Sequence, residues 1–217
     1  MINMKTNSKL IIKLLKKEYR TAHTALKYRT PFELLVSVRL SAQCTDERIN
    51  KVTPELFKKY KNIYGFANAK QAILEKDIRS TGFYKHKAKS IISFSKQIIE
   101  EFNGTVPDSM ENLIKLPGVA RKTANIILSS CYKKAEGIAV DTHVARLSNR
   151  LGFSKQKDPF KIEQDLLKIV PKKYWLDFNY LLINHGRAVC DARKPLCENC
   201  FINKFCPRIG VKNAKKK

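Results

Sequence analysis

The sequence LPGVARKTAN, residues 116–125, joins two helical patterns through a tight Pro-Gly turn. After the turn, apolar residues recur at the spacing of one helix face, at Ala124, Ile127, Leu128 and Cys131. Lys122 falls nearly opposite that face, so we expect it to point away from the packing seam of its own helix. The unsatisfied backbone N–H groups of such a helix start suit a phosphate. An ordinary helix–helix turn with a solvated Arg121 and Lys122 is the alternative.

The rest of the chain also carries helical punctuation. Helix starts are predicted at Thr30 with Glu33, at Asp108 with Glu111, and at Asp158 before Pro159. Gly152 and Gly186 stand where helix ends are expected. Because few period-2 alternations are long enough for a strand, the pattern predicts an all-α protein.

The charge of the chain favours a polyanionic partner. Among 217 residues, 43 Lys and Arg face 19 Asp and Glu, for a net charge of +24. Nucleic acid is the expected partner, because Lys and Arg bound to phosphates release counterions; a proteome rich in Lys would give the same surface. No apolar run approaches the length of a membrane span, and residues 10–12 are too short for a signal-peptide core. We expect a soluble, intracellular protein without a membrane partner.

Four of the six cysteines lie close together near the chain end, at Cys190, Cys197, Cys200 and Cys206. In a chain without an export signal, such a cluster indicates a metal centre before a disulfide framework. The residues alone leave a four-thiolate zinc site and a [4Fe–4S] cluster open. Cys44 and Cys131 fit buried small hydrophobic residues.

The segment VDTHV, residues 140–144, places an acid at a helix start. Asp141 is expected to cap the helix that runs to Gly152. A carboxylate at a helix start stays ionised because the helix dipole favours negative charge. It can therefore stabilise a positively charged sugar as well as cap the helix.

These motifs together resemble the endonuclease III family of DNA glycosylases and AP lyases. Residues 116–125 resemble its helix-hairpin-helix signature, VDTHV resembles its second catalytic motif, and the cysteine spacing matches its [4Fe–4S] pattern at every interval. The resemblance runs from roughly Pro31 to Cys206. It implies a two-lobed fold with a central helical bundle at 24–134 and an iron–sulfur lobe from 1–23 and 135–211. The basic residues at 212–217 predict a disordered tail.

The resemblance also implies roles for particular residues. Lys122 becomes the nucleophile and Asp141 the catalytic carboxylate, while the four cysteines hold the cluster. The DNA-binding set that it implies is Gln43, Phe83, Gly118, Ala120, His143, Arg193 and Lys194. Gln43, in an SAQ segment, and Phe83, in a wedge loop, would fill the gap left by a flipped nucleotide.

The sequence departs from the family pattern at two of these positions. Ala120 stands where a second hairpin glycine is common, which is a strain only if the position needs a positive φ. Phe83 stands where Leu is often found, and an aromatic ring should stack at least as well. As alternatives, Gln43 could be a polar helix end and Phe83 a core residue.

The implied function is base-excision repair. The chain would remove damaged, oxidised pyrimidines from duplex DNA and cleave abasic sites by β-elimination through a Lys122 Schiff base, as a monomer in the cytoplasm at the nucleoid. A mismatch-specific or photodimer-specific glycosylase, a monofunctional adenine-removing relative and a non-catalytic metal-stapled DNA-binding protein are the alternatives. The presence of Lys122, and the mere 11 residues after Cys206, argue against the adenine-removing relative.

Overall fold

A computed structural model describes residues 4–20 and 22–211. Within these residues the chain is helical, without a strand. In chain order the α-helices are α1 (Met4–Glu18), α2 (Pro31–Ser41), α3 (Asp46–Lys59), α4 (Ile63–Ala67), α5 (Gln71–Asp77), α6 (Tyr84–Phe102), α7 (Met110–Leu113), α8 (Arg121–Ile127), α9 (Thr142–Arg150), α10 (Pro159–Ile169) and α11 (Phe178–Ala188). The tail at 212–217, predicted to be disordered, lies outside the described residues.

The chain divides into two compact units. The hairpin unit is Ala25–Tyr132, and the cysteine unit combines Met1–Thr24 with Lys133–Lys217. The sequence had placed these divisions between 23 and 24 and between 134 and 135, whereas the structure places them between 24 and 25 and between 132 and 133. The all-α prediction is confirmed.

The hairpin unit is built around α6. This helix packs against α4 and α5, and it buries Ala88, Ile91, Phe94 and Ile98. The predicted apolar face of α8 joins the same core, with Ala124, Ile127 and Leu128 fully buried and Cys131 packed against them. A π-helical turn, Leu128–Tyr132, follows α8 directly. The sequence pattern did not predict that turn.

The cysteine unit has its own core. Ile11, Ile12 and Leu15 of α1 are buried in it. The short apolar stretch near the N-terminus therefore serves packing. None of the helices in the described part of the chain is long and apolar enough to cross a membrane.

The predicted helix caps are confirmed at two positions and corrected at a third. Thr30 accepts a hydrogen bond from Glu33 N at 3.1 Å, and Asp158 accepts one from Lys161 N at 2.9 Å, as predicted. The helix start predicted at Asp108 is wrong by one residue, because Ser109 caps α7. Both residue types can cap, so the sequence could not choose between them.

One of the two glycines predicted at helix ends is also corrected. Gly152 follows α9 with φ +72°, as a C-terminal glycine should. Gly186, in contrast, lies inside α11. A Cβ there would stand 2.7 Å from His143 Nδ1 and 2.8 Å from Arg146 Nη2, so this glycine permits close approach of α9.

Candidate active site and metal centre

The turn before α8 depends on Gly118. Its φ is +77°, and a Cβ would lie 2.9 Å from Ser90 Oγ and 3.1 Å from Arg39 Nε. Val119 N closes the turn on Leu116 O at 3.0 Å. Ala120 has φ −85° and ψ 165°, an extended conformation open to any residue, so alanine there carries no strain. Gly118 and Ala120 are both exposed.

Lys122 lies in the first turn of α8 and is exposed. Ala120, at the N-cap position, offers no side-chain acceptor to the first amides of the helix. The buried face of α8 holds its backbone in place. The amine of Lys122 is therefore presented to solvent on a fixed helix, directly after the hairpin turn.

The two residues predicted to enter the duplex share an unusual backbone. Gln43 has φ +56° and Phe83 has φ +47°, and both are exposed. The alternative that Phe83 is a core residue is wrong, because 61% of it is exposed. A non-glycine residue in the left-handed region costs roughly 1–2 kcal/mol, and such conformations cluster at functional sites.

Asp141 caps α9. Its Oδ1 accepts a hydrogen bond from Val144 N at 2.8 Å, and the residue is half-buried. The predicted cap is confirmed. It fixes the carboxylate at the N-terminus of α9.

His143 packs between helices of the cysteine unit. Its Nδ1 lies 3.2 Å from Arg146 Nη2, against the gap left by Gly186. Burial is the main cause that lowers the pKa of His143 below its usual value. The residue is half-buried, so the neutral ring serves packing here and retains some exposed surface.

The loop after Cys190 exposes two cations. Asp191 Oδ1 accepts from the backbone N–H groups of Arg193, at 2.7 Å, and Lys194, at 3.0 Å. These backbone hydrogen bonds lower the pKa of Asp191. They also fold the loop so that the Arg193 and Lys194 side chains are exposed.

The four clustered cysteines line a single cavity. The cavity has a volume of about 20 Å³, and Leu147, Arg150 and His185 also line it. Within the described residues no three Cys, His, Asp or Glu side chains are grouped as ligands of a single ion. The four thiols instead surround a common space, which suits a multi-iron cluster that gives each thiolate its own iron.

Two nitrogen atoms of the protein lie within hydrogen-bonding distance of cysteine sulfur atoms in this cavity. Arg150 Nη1 lies 3.3 Å from Cys190 Sγ, and Arg208 N lies 3.4 Å from Cys206 Sγ. Burial raises the pKa of Cys200 to about 11. Binding of a metal by cysteines replaces the thiol protons, since the thiolate is the ligand. The donor set and its neighbours fit an iron–sulfur cluster.

Comparison with known proteins places the chain in a family. Residues 36–172 match the HhH-GPD superfamily of base excision DNA repair proteins, and residues 190–206 match the iron–sulfur binding domain of endonuclease III. Endonuclease III of Synechocystis is 50% identical over 207 residues, covering 95% of this chain and 94% of the relative. This chain belongs to the endonuclease III family.

Further relatives agree. Endonuclease III of Escherichia coli is 42% identical over 190 residues, covering 84% of this chain and 86% of that protein. A solved structure of a trapped endonuclease III–DNA covalent intermediate superposes with a TM-score of 0.89 at 41% identity, covering 96% of this chain and 97% of the other. The endonuclease III assignment makes the chain a base-excision repair glycosylase with AP lyase activity, which binds DNA and carries a [4Fe–4S] cluster. A non-catalytic DNA-binding protein is not favoured.

Sequence reasoning missed several cations that organise these endonuclease III motifs. Arg146 and Arg150 stand one turn apart on α9, and both donate to Cys190 O, at 3.1 and 3.3 Å. Their spacing of four residues was a readable signal of a shared face. Lys87 is fully buried in α6, and nothing in its sequence context distinguishes it from a solvated lysine.

Proposed function

We propose that this enzyme excises oxidised pyrimidines from duplex DNA and cleaves the resulting abasic sites, with Lys122 as nucleophile. The exposed position of Lys122, on a helix fixed directly after the Gly118 turn, is the observation that carries the proposal. It gives an amine that can reach DNA beside a hairpin whose amides suit a phosphate. A related endonuclease III has been solved as a trapped covalent intermediate with DNA, which supports an amine nucleophile.

Only the free amine of Lys122 can act as the nucleophile. The amine attacks C1′ of the flipped deoxyribose, the new C–N bond forms, and the glycosidic bond breaks so that the base leaves with its electron pair and takes up a proton. The attached nitrogen then gives up a proton while the C1′–O4′ bond of the sugar ring breaks and O4′ takes up a proton, which leaves a Schiff base between C1′ and Lys122. Loss of a C2′ proton eliminates the 3′ phosphate, which cuts the strand, and water later releases the enzyme.

Asp141 is the proposed catalytic carboxylate. Capping holds its carboxylate in one orientation. An ionised carboxylate stabilises the positive charge that develops on the sugar, and it can accept and return protons.

The proposed DNA contacts divide by task. Gly118 and Ala120 present hairpin amides to a phosphate, while His143, Arg193 and Lys194 approach the backbone. Gln43 and Phe83 fill the gap left by the flipped nucleotide, because both are exposed on strained loop backbone. A single copy of the chain carries both proposed catalytic groups, so we propose a monomer acting at the nucleoid in the cytoplasm.

Cys190, Cys197, Cys200 and Cys206 are the proposed ligands of the [4Fe–4S] cluster. Breaking a glycosidic bond needs no electron transfer, so the proposed role of the cluster is structural. When bound, it would hold the segment from Cys190 to Cys206 together through its four cysteine ligands. Cys197→Ser should remove the visible iron–sulfur absorbance, whereas Cys131→Ser, at a half-buried cysteine of the hairpin unit, should retain it. Full absorbance in Cys197→Ser would contradict this ligand assignment.

A panel of lesion-containing duplexes tests the proposed substrate. Oxidised pyrimidines such as thymine glycol, a mismatch, a pyrimidine photodimer and an abasic site are scored separately for base release and strand scission. We expect release and scission on the oxidised pyrimidines and scission on the abasic site. Activity confined to the mismatch or the photodimer would overturn the substrate class, and release without scission would overturn the role of Lys122.

A further inference from the structure

Lys87 is a buried lysine held by two backbone carbonyls. The residue lies in the first turn of α6 and is 1% exposed. Its Nζ donates to Leu40 O and to Thr81 O, each at 2.7 Å. Both acceptors are neutral carbonyl oxygens, so the charge is not offset by an ion pair with either of them.

Such an arrangement is a costly way to fill a core. Burial lowers the pKa of Lys87, Cys44 acts in the opposite direction, and Arg39 adds a smaller lowering. An apolar side chain of similar volume is often neutral or stabilising in place of a buried charge. What the ammonium provides, and an apolar side chain cannot, is a hydrogen-bonded link between two separate segments.

The two linked segments are the ones that carry the strained, exposed residues. Leu40, at the end of α2, stands three residues before Gln43, and Thr81 stands two residues before Phe83. The backbone N of Lys87 also donates to Phe83 O at 3.1 Å. The backbone bond would form with any residue at this position, whereas the Lys87 side chain links the base of the Gln43 loop to the base of the Phe83 loop.

We propose that Lys87 is a positioning residue that holds Gln43 and Phe83 at a fixed separation, so that both enter the duplex in one step when the nucleotide leaves the stack. This inference rests on the proposed insertion roles of those two residues. Preorganisation matters because small misplacements of groups that act together cost about 10²-fold in rate. Lys87 itself touches no DNA, and it acts through the two loops.

The test compares substrates that do and do not require opening of a duplex. Lys87→Met removes the charge and the donors at similar volume, and Lys96→Met, at an exposed site of the same helix, is the matched control. We expect Lys87→Met to slow base release from a lesion duplex by about 10- to 100-fold in single-turnover assays. Cleavage of a single-stranded abasic oligonucleotide, which has no stack to open, should stay within about two-fold of wild type. In Lys87→Met, the fluorescence of 2-aminopurine placed beside the lesion should rise more slowly than in wild type, by the same factor as base release.

A double-mutant cycle with Phe83→Ala separates the possible outcomes. If Lys87 acts through the wedge, Lys87→Met should add little to the loss that Phe83→Ala already causes. A normal rate for Phe83→Ala alone would overturn the insertion role, whereas a harmless Lys87→Met beside a damaging Phe83→Ala would overturn only this inference. Equal losses of rate on the duplex and on the single strand would show that Lys87 has only a structural role, and would overturn the inference.

Folding is checked by thermal unfolding and by the iron–sulfur absorbance. Should Lys87→Met not fold, Lys87→Leu, which also removes the charge and the donors, takes its place in the same comparison. Failure of both variants to fold would assign Lys87 to core stability and overturn the inference.

Discussion

The two helix starts that carry the proposed catalytic pair are built in opposite ways. Helix α8, with Lys122, follows a glycine turn and has alanine at its N-cap, whereas α9, with Asp141, begins with a carboxylate cap. The start of α8 has no side-chain cap, which suits an external anion, whereas the start of α9 holds its own carboxylate. A helix start can thus present either an amine or a held carboxylate. The residue at the N-cap position decides between them.

Lys122→Gln should have the largest effect, because it removes the only group proposed to bond to the sugar. Turnover on lesion duplexes should fall by at least ~10³-fold, and borohydride should trap no adduct. Binding to undamaged DNA should change little. Lys96→Gln, at an exposed site on α6, serves as the control for loss of one positive charge. A trapped adduct of normal yield in Lys122→Gln would sink the assignment.

Asp141→Asn separates the two roles of the capped start. Asn caps a helix as well as Asp, so the free energy of unfolding should change by less than about 0.5 kcal/mol. The single-turnover rate should nevertheless fall by about 10²-fold, because the ionised carboxylate is gone. Asp141→Ala should show the same loss of single-turnover rate, and its free energy of unfolding should in addition fall by about 1 kcal/mol.

Asp158 offers the matched control for Asp141, since it caps α10 with the same geometry. Asp158→Asn and Asp158→Ala should reproduce the stability changes and leave the rate unchanged. If Asp141→Asn kept the wild-type rate, Asp141 would be a cap alone.

Gly118→Ala tests the glycine turn at the uncapped start. A side chain at φ +77° costs about 1 kcal/mol or more, and its Cβ meets Ser90 Oγ at 2.9 Å, so the hairpin must shift. DNA affinity should fall by about 10-fold, by gel shift or anisotropy at fixed salt. Ala120→Gly, at an extended position, should bind within about two-fold of wild type.

Gly104→Ala controls for the backbone strain of Gly118→Ala. Gly104 has φ +74°, and a Cβ there meets Tyr64 Oη at 3.4 Å, outside the hairpin. It should lower stability by a similar amount without loss of DNA affinity. Equal losses of affinity in both alanine variants would show that strain alone explains the Gly118 result.

Neutralising the exposed loop cations should have the smallest effect. Replacing Arg193 and Lys194 together by Gln should reduce the slope of log affinity against log salt concentration by about 2. The loss of affinity should be similar for every DNA sequence. Lys168→Gln, at an exposed site on α10, should leave the slope unchanged. An unchanged slope in the double variant would remove the two residues from the interface.

The sequence could predict what depends on local chemistry. The Asp141 cap, the Thr30 cap, the glycine after α9 and the apolar face of α8 all follow from residue type and spacing. The family motifs added the function, because they are jointly specific. Among site residues, the positions of Lys122 and Asp141 within their helices were therefore predictable.

What the sequence could not predict depends on neighbours distant along the chain. Lys87 is buried only because Leu40 and Thr81 bring two carbonyls to it, and Gly186 is needed only because His143 packs there. The choice of Ser109 over Asp108 as a cap rests on backbone conformation rather than residue type. None of these contacts produces a periodic pattern that could be read from a single sequence.

Peptide mapping of the borohydride-trapped adduct tests the central claim most directly. Wild-type enzyme is trapped on an abasic duplex, digested, and analysed by mass spectrometry for the lysine that carries the sugar remnant. The account predicts that the remnant lies on Lys122 in the peptide that follows the Gly118 turn. A remnant on any other lysine, or on the N-terminal amine, would contradict it.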